Sequence, residues 1–198
     1  MNFILIGEAG AGKDTFAELL PHFHRLAFGD EIGLVCRNLR INGVRGAYLQ
    51  LSKLFLLTPP NLLRNLELFR RIPKDEPKER LLKQELGTFC REHDDNIWIR
   101  RVQEQCIGKD NIVITDVRRQ SEFDAFPEYI SVFIDATLEV RMKRLKERDG
   151  SVDETMFHHK AEREIQSLRS RCDFIVENNG TREELQEKIE EILKYVKV

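Results

Sequence analysis

The sequence predicts an α/β fold of three layers, in which helices cover both faces of a parallel sheet of five strands. Five short apolar runs carry this prediction, because each is followed by a polar or glycine residue and then by a helical pattern. Strands that alternate with helices form βαβ crossovers, and these build a parallel sheet. The expected strands are Phe3–Ile6, Leu26–Phe28, Ile112–Ile114, Ile130–Ile134 and Phe174–Val176.

The first and last elements are the clearest. Phe3–Ile6 is an unbroken apolar run, as expected for a strand that is buried on both faces. At the other end, Thr181 and Glu184 have the spacing of a capping box and predict the start of a helix. One apolar stripe follows at helical spacing, which predicts a helix packed on the core. Its residues are Leu185, Ile189, Ile192, Leu193 and Val196.

More than eighty residues between the second and third strands read as helix and are too many for a simple crossover. We therefore expect a helical insert over about 31–108, with a core formed by 1–30 and 109–198 in one domain of 198 residues. The segment Arg71–Pro77 has two prolines among charges and predicts a hinge. A polar stretch predicts a short lid over about 141–160.

The amino-acid composition indicates which kinds of binding partner are not expected. The chain has 32 basic and 34 acidic side chains and a formal net charge of −2, so no overall field favours a nucleic acid polymer or a membrane surface. Four cysteines without paired spacing argue against a zinc site or a disulfide framework and favour a reducing compartment. The apolar start is too short for a signal peptide. We expect a cytoplasmic monomer or homodimer whose chain begins within its fold.

A phosphate-binding loop is predicted directly after the first strand. Gly7–Lys13 fits the pattern GxxxxGK and lies between a buried strand and an amphipathic segment. Glycines allow backbone N–H groups to converge on phosphate oxygens, and Lys13 supplies a point charge to the β and γ phosphates of ATP. The alternative is a glycine-rich turn that binds nothing. The candidate ATP-binding residues here are Gly7, Gly10, Ala11, Gly12, Lys13, Asp14 and Thr15.

Two carboxylates are candidate ligands of Mg²⁺. Asp14 stands where this loop usually has a serine or threonine, and a carboxylate holds magnesium directly or through a water. Asp116 ends the apolar run Ile112–Thr115, which is the form of a Walker-B strand. The alternative for Asp116 is a cap on the next helix. Arg118 and Arg119 follow at the carboxyl edge of the predicted sheet, where we expect one of them to meet phosphate.

Arg141, Arg144 and Arg148 lie three and four residues apart, which puts three guanidinium groups on one helix face before the predicted lid. Phosphoryl transfer needs mainly stabilisation of the charge on the moving group, and a closing lid that carries arginines meets that need. We therefore count these arginines with Lys13, Asp14 and Arg118 as candidate catalytic residues. The alternative is a solvated face paired with nearby glutamates.

Together these motifs resemble the phage-type deoxynucleoside monophosphate kinases of the P-loop kinase superfamily. The loop resembles their GKDT variant, and the segments after the second and third strands resemble their aromatic-small-Asp turn and D-V-R…E element. His159 and Glu162 resemble an H-x-x-E element after the lid. Three further segments carry the resemblance: the R…Q-x-L-G-T…R…W region over 80–98, Phe28–Asp30, and Asp116–Arg118 with Glu122.

The resemblance implies the strand order 2-3-1-4-5, Mg-ATP on the loop, and transfer of its terminal phosphoryl group to a nucleoside or deoxynucleoside monophosphate. It also implies that adenine lies near Asn178, Asn179 and Gly180. Without it, the polar residues near Gly87 read as an ordinary helix face. The acceptor residues that the resemblance implies are Asp30, Arg80, Gln84, Thr88, Arg91, Asp116 and Arg118.

Several alternatives remain open from the sequence. The chain also resembles the animal-type phosphomevalonate kinases and, more distantly, the dephospho-coenzyme A kinases. A monophosphate acceptor is largely a dianion at neutral pH and needs no strong base, whereas a hydroxyl acceptor needs a carboxylate, for which Asp30 is the candidate. The rivals of another class are a nucleotide-dependent switch ATPase and a module that binds ATP without turnover.

Overall fold

The computed structural model describes residues 1–55, 83, 86–88, 90–92, 94–150 and 160–196. The chain forms two compact units. The first consists of Met1–Ala27 together with Cys106–Val198, and the second consists of Phe28–Gln105. The predicted hinge at Arg71–Pro77 lies outside the described residues. Of the predicted lid, residues 151–159 also lie outside them.

The first unit is built on one parallel sheet of five strands in the order β2-β3-β1-β4-β5. This confirms the predicted class and strand order. The strands are β1 (Phe3–Ile6), β2 (His24–Leu26), β3 (Ile112–Val117), β4 (Ile130–Asp135) and β5 (Phe174–Glu177). The helices within the described residues of both units are α1 (Lys13–Glu18), α2 (Phe28–Phe55), α3 (Ile97–Cys106), α4 (Gln120–Asp124), α5 (Leu138–Asp149), α6 (Lys160–Leu168) and α7 (Arg182–Val196).

The second strand lies at a different position from the one predicted. The apolar run Leu26–Phe28 was expected to form it, but β2 spans His24–Leu26 and Phe28 begins α2. Because β2 is an edge strand that pairs only with β3, two of its three residues are exposed and the strand leaves no apolar run in the sequence. The apolar residues Ala27 and Phe28 are buried at the start of α2 instead.

The third strand is longer than predicted and contains an irregularity. Ile4 pairs with Ile114, whereas Ile6 pairs with Val117, so two residues of β3 stand opposite Leu5 alone. This two-against-one count is that of a β-bulge, which bends the strand and re-aims its side chains. The bulged residues are Thr115 and Asp116, and they lie where β1 runs into the phosphate loop.

The helices α1 and α7 contribute to one apolar cluster with β1, β3, β4 and β5. The predicted capping box of α7 is present: the Thr181 N–H donates to Glu184 Oε2 at 3.2 Å, and the Glu184 N–H donates to Thr181 Oγ1 at 3.3 Å. The predicted stripe is buried at its first three members, and its last two pack against the same cluster. The apolar stripe that predicted α7 is thus also the surface by which α7 packs against the core.

In the second unit, α2 begins at Phe28 and is broken at Gly43, whose φ of 63° lies in the left-handed region. The buried carboxylate of Glu31 accepts a 2.7 Å hydrogen bond from Gln105 and lies 3.5 Å from Arg101. Trp98 and Cys90 are among the buried residues of this unit. None of the described helices is long and apolar enough to cross a membrane.

Candidate functional site

The phosphate loop, Gly7–Lys13, connects β1 to α1 and closes tightly on two neighbouring segments. Gly12 is the N-cap of α1 with φ of 105°, and no side chain caps the helix. A Cβ atom on Gly12 would lie 2.2 Å from Asn178 Nδ2, and one on Gly10 would lie 2.8 Å from the Arg141 carbonyl oxygen. The loop therefore needs glycine here for its left-handed backbone and for this close packing.

Lys13 is the first residue of α1, and its ammonium group turns back over the loop. Its Nζ donates to the Gly7 carbonyl at 2.6 Å and to the Glu8 carbonyl at 2.9 Å, and the residue is 9% exposed. The positive charge thus lies at the centre of the loop, next to the uncapped helix start. An uncapped helix start and a lysine in one concave loop form a site suited to an anion.

Asp14, the first candidate metal ligand, lies in the first turn of α1. Its side chain is 68% exposed and lies 3.4 Å from Arg25 of β2. The charge of Asp14 also contributes to the raised pKa of the Arg148 guanidinium, after the larger effect of the hydrogen bond to Asp149. The Asp14 carboxylate is thus paired with a cation and remains accessible from solvent.

Asp116, the second candidate ligand, lies half-buried in the bulge of β3. Its neighbour Thr115 is 1% exposed, and the hydroxyl oxygen Oγ1 has no hydrogen-bond partner among the residues that the structure describes. Within the described ranges, no three side chains of His, Cys, Asp or Glu form a metal-binding group. Asp14 and Asp116 stay candidate ligands of Mg²⁺, an ion that is usually held by one or two carboxylates together with waters and phosphate oxygens.

Arg118 and Arg119 are held at the start of α4 by a buried glutamate. Oε2 of Glu122 accepts a hydrogen bond from the Arg118 N–H at 2.9 Å and from the Arg119 N–H at 3.1 Å. Glu122 is 6% exposed, whereas the side chain of Arg118 is exposed. The glutamate of the D-V-R…E element therefore fixes the backbone that carries Arg118, just after Asp116.

The three arginines of α5 occupy three different environments. Arg141 is buried, pairs with the Glu8 carboxylate, and donates from Nε to the Ala9 carbonyl at 3.0 Å. Arg148 is exposed and pairs with Asp149 at 2.7 Å. Arg141 is therefore turned into the phosphate loop, whereas Arg148 is exposed to solvent. That the three arginines act in catalysis stays a prediction.

Arg144 lies between the other two arginines and joins two loops. Its guanidinium donates to the carbonyl oxygens of Asn178 at 2.9 Å, Gly180 at 3.2 Å and Ala11 at 3.4 Å. Partial burial lowers the pKa of this guanidinium, although it stays charged at neutral pH. Arg144 therefore connects the phosphate loop to the segment over 178–180.

The segment over 178–180, predicted to lie near adenine, is fixed from both sides. Asn178 is 5% exposed, its Nδ2 donates to the Ala11 carbonyl at 2.8 Å, and its N–H donates to the Asp135 carbonyl at 2.7 Å. Asn179 accepts a 2.8 Å bond from the Thr137 N–H. The structure thus brings the two predicted ATP-binding segments together, although they are far apart in the chain.

The predicted acceptor residues are only partly described. Arg80 and Gln84 lie outside the described residues. Asp30, Thr88 and Arg91 belong to the second unit, where Asp30 and Thr88 are exposed and Arg91 is half-buried.

Asp116 and Arg118, the other two predicted acceptor residues, belong to the first unit. Gly87 lies in the second unit, next to Thr88. A Cβ atom there would lie 3.1 Å from the Arg91 guanidinium and 3.2 Å from Ile32 Cδ1. The space at Gly87 is thus used by the second unit itself. His159 and the side chain of Glu162 lie outside the described parts of the chain.

Sequence reasoning missed three residues that shape the site: Glu8, Arg25 and Thr115. Glu8 occupies a position of the GxxxxGK pattern that accepts any residue, and its partner Arg141 is 133 positions away. Arg25 lies on the edge strand that left no apolar run. No local signal marks these residues, because Glu8 and Arg25 are paired with side chains that only the fold brings near, and Thr115 lies in a bulge that only the pairing of β1 with β3 reveals.

The sequence has low similarity to known families and proteins. No family model matches the chain. A protein of Archaeoglobus fulgidus, described as a UPF0200/UPF0201 protein, is 27% identical over 133 residues. The match covers 57% of this chain and 41% of that protein, so the chain spans less than half the length of this relative.

Three solved structures share the fold over nearly the whole chain. They are TT1252 from Thermus thermophilus (TM-score 0.57, 20% identity, 98% and 97% of the two chains), dephospho-CoA kinase from Campylobacter jejuni (0.50, 18%, 98% and 96%) and shikimate kinase from Acinetobacter baumannii in complex with shikimate (0.51, 13%, 98% and 92%). Sequence identities this low show only that the fold is shared. The chain shares the parallel α/β fold of these three proteins, and the phage-type family is not singled out.

Proposed function

We propose that this protein transfers the terminal phosphoryl group of Mg-ATP to a small phosphate acceptor, with a nucleoside or deoxynucleoside monophosphate as the leading candidate. The observation that carries the proposal is Lys13, whose ammonium group lies over a glycine loop at an uncapped helix start. Similarity of fold to dephospho-CoA kinase and shikimate kinase supports a kinase. The resemblance of scattered motifs supports the monophosphate.

Lys13 is the residue we expect to move on binding. Its two hydrogen bonds, at 2.6 and 2.9 Å, go to neutral loop carbonyls, and phosphate oxygens would give the ammonium negatively charged acceptors instead. The exchange turns the ammonium from the loop backbone to the β and γ phosphates. Backbone N–H groups at the start of α1 add further donors, because no side chain caps them.

Arg144 and the segment over 178–180 would hold the nucleoside end of ATP. The Arg144 guanidinium is already fixed by three carbonyl oxygens, so its planar face is available for stacking without further ordering. Arg148 is exposed, and its partner Asp149 is adjacent in sequence, so it can exchange that carboxylate for a phosphate. We therefore assign charge stabilisation during transfer to Lys13, Arg148 and Arg118.

Asp14 and Asp116 are the residues that would hold Mg²⁺, directly or through water. When bound, the ion would neutralise charge on the phosphates. Asp14 would have to leave Arg25, from which its carboxylate is only 3.4 Å away in an exposed pair. An exposed pair of this kind is weak, so the exchange is not costly.

A second candidate is transfer to a hydroxyl group, favoured by the similarity of fold to dephospho-CoA kinase. Such an acceptor needs a base within hydrogen-bond reach, and Asp30, exposed in the first turn of α2, is the candidate. Asp30→Asn separates the two proposals. Near-complete loss of turnover with intact binding of both substrates supports the hydroxyl acceptor, whereas retained turnover supports the monophosphate.

The proposal is tested by a coupled assay with Mg-ATP and a panel of acceptors. The panel holds nucleoside and deoxynucleoside monophosphates, phosphomevalonate and dephospho-coenzyme A. We expect acceptor-dependent ADP formation that falls at least about a hundredfold in Lys13→Met. Brisk hydrolysis without any acceptor would support a switch ATPase, and ATP binding without turnover would support a binding module. Either result would overturn the kinase.

A further inference from the structure

We infer that Arg141 is a positioning residue that neutralises Glu8 and holds the phosphate loop against α5, and that it does not contact the transferred phosphoryl group. This inference rests on the proposed function, because it concerns ATP at the same loop. It also reassigns a residue that the sequence grouped with Arg144 and Arg148 as an arginine of a closing lid.

The contacts between Arg141 and the loop involve both side chain and backbone. The guanidinium pairs through Nη1 with the Glu8 carboxylate and donates through Nε to the Ala9 carbonyl at 3.0 Å. The Arg141 carbonyl lies so close to Gly10 that a Cβ atom there would be 2.8 Å from it. Three consecutive loop residues, Glu8, Ala9 and Gly10, therefore rest on one residue of α5.

Burial distinguishes this ion pair from the others near the site. The side chain of Arg141 is 5% exposed and that of Glu8 is 16% exposed. In contrast, Arg148 and Asp149 are 63% and 41% exposed. Removing one partner of a buried pair leaves an uncompensated charge in a place where water does not screen it. Exposed pairs lack this penalty.

The position of Glu8 gives the pair a functional consequence. Glu8 is a carboxylate inside the loop where the phosphates of ATP would bind, so its charge has the same sign as the ligand. Its own carbonyl oxygen also holds the Lys13 ammonium, at 2.9 Å. An unneutralised Glu8 would repel the phosphates and would tend to retain Lys13. With Arg141 in place, the loop presents the charge of Lys13 to the ligand.

This reasoning predicts a particular pattern across three variants. Arg141→Met removes the compensating charge and should weaken Mg-ATP binding about tenfold or more, with KM rising more than kcat falls. Glu8→Gln removes a negative charge beside the phosphates and should leave the affinity unchanged or tighter. The double variant should recover most of the affinity, because neither charge remains to be compensated.

The experiment measures the Kd of Mg-ATP by titration calorimetry, and kcat and KM in the coupled assay, for the wild type and these variants. Arg171→Met is the matched control, since Arg171 pairs with Asp124 on an exposed surface of the same unit at 2.7 Å. Its affinity for Mg-ATP should equal that of the wild type. Thermal unfolding of every variant shows whether the fold is kept, and if Arg141→Met does not fold, weaker Mg-ATP binding by Glu8→Gln would overturn the inference.

The outcomes separate the inference from the proposed function. If Arg141→Met binds Mg-ATP as the wild type does, or if the double variant is as weak as Arg141→Met, the charge-compensating role is wrong. A loss confined to kcat without rescue would place Arg141 on the transferred phosphoryl group instead. If the wild type itself binds no Mg-ATP, the proposed function fails before the variants are compared.

Discussion

The Asn178 amide donates a 2.8 Å hydrogen bond to the Ala11 carbonyl, which joins two loops that are 167 residues apart in the chain. Ala11 lies inside the phosphate loop, and Asn178 follows β5 directly. Arg144 donates to both residues and so completes the connection. The two segments expected to bind the ends of one nucleotide are therefore fixed to each other before any ligand binds.

Gly12→Ala should destabilise the protein more than the loss of one glycine elsewhere. The new Cβ would lie 2.2 Å from Asn178 Nδ2 and would occupy a left-handed backbone with φ of 105°. We expect the free energy of unfolding to fall by about 2 kcal/mol or more, together with weaker Mg-ATP binding. Urea titration and calorimetry measure the two effects.

Gly108→Ala is the control for that variant. Gly108 also has a left-handed backbone, with φ of 73°, but no atom lies within 4 Å of the added Cβ. The control therefore isolates backbone strain, for which we expect about 1 kcal/mol. Equal losses in both variants, with ATP binding unchanged, would contradict the packing of Gly12 against Asn178.

Thr115→Val should leave the stability unchanged or raise it by up to about 1 kcal/mol. The Thr115 hydroxyl is buried without a hydrogen-bond partner, and valine has nearly the same shape without the polar atom. Ser131→Ala is the contrasting variant, because the Ser131 hydroxyl donates to Asp173 at 2.6 Å and its loss should cost about 1–3 kcal/mol. A clear destabilisation by Thr115→Val would show that the hydroxyl is bonded in solution.

Arg25→Met should change the metal dependence of activity more than stability. The pair with Asp14 is exposed at both ends, so the free energy of unfolding should change by less than about 0.5 kcal/mol. Without the arginine, the Asp14 carboxylate is more available to Mg²⁺, and we expect half-maximal activity at a lower Mg²⁺ concentration. Arg182→Met, which breaks another exposed pair with Glu18, should leave the Mg²⁺ titration unchanged. A response equal in both variants would argue against Asp14 as a ligand.

The free energy of unfolding should fall as the pH rises above 9, because the Cys90 thiol is buried. Burial raises the pKa of this thiol from 9.0 to about 12, so between these values the unfolded chain loses a proton that the folded protein keeps. Stability then falls with pH across this window, by at most about 1.4 kcal/mol per pH unit from this thiol. Urea titrations from pH 8.5 to 10.5 should show a steeper loss for the wild type than for Cys90→Ala. If the free energy of unfolding falls equally with pH in both proteins, the folded structure does not keep the Cys90 thiol protonated.

The sequence by itself determined the fold class and indicated which residues form a candidate site. Apolar runs identify strands buried on both faces, so β1, β3, β4 and β5 were predicted at nearly the right positions. The spacing of Thr181 and Glu184 gave the start of α7, because a capping box depends only on neighbouring residues. The glycines and Lys13 predicted the phosphate loop for the same reason: the conformation that they allow is local.

Only the tertiary structure decided what depends on distant partners. β2 is an edge strand with two exposed residues, so its apolar signal is absent and its position was predicted two residues late. Three arginines on α5 look equivalent in the sequence, yet Arg141 is buried against Glu8 and Arg148 is exposed. Helical spacing fixes a residue's direction on its own helix. For Arg141 the partner charge comes from a loop more than a hundred residues away, whereas Arg148 has its partner in the next residue, and helical spacing does not distinguish these two environments.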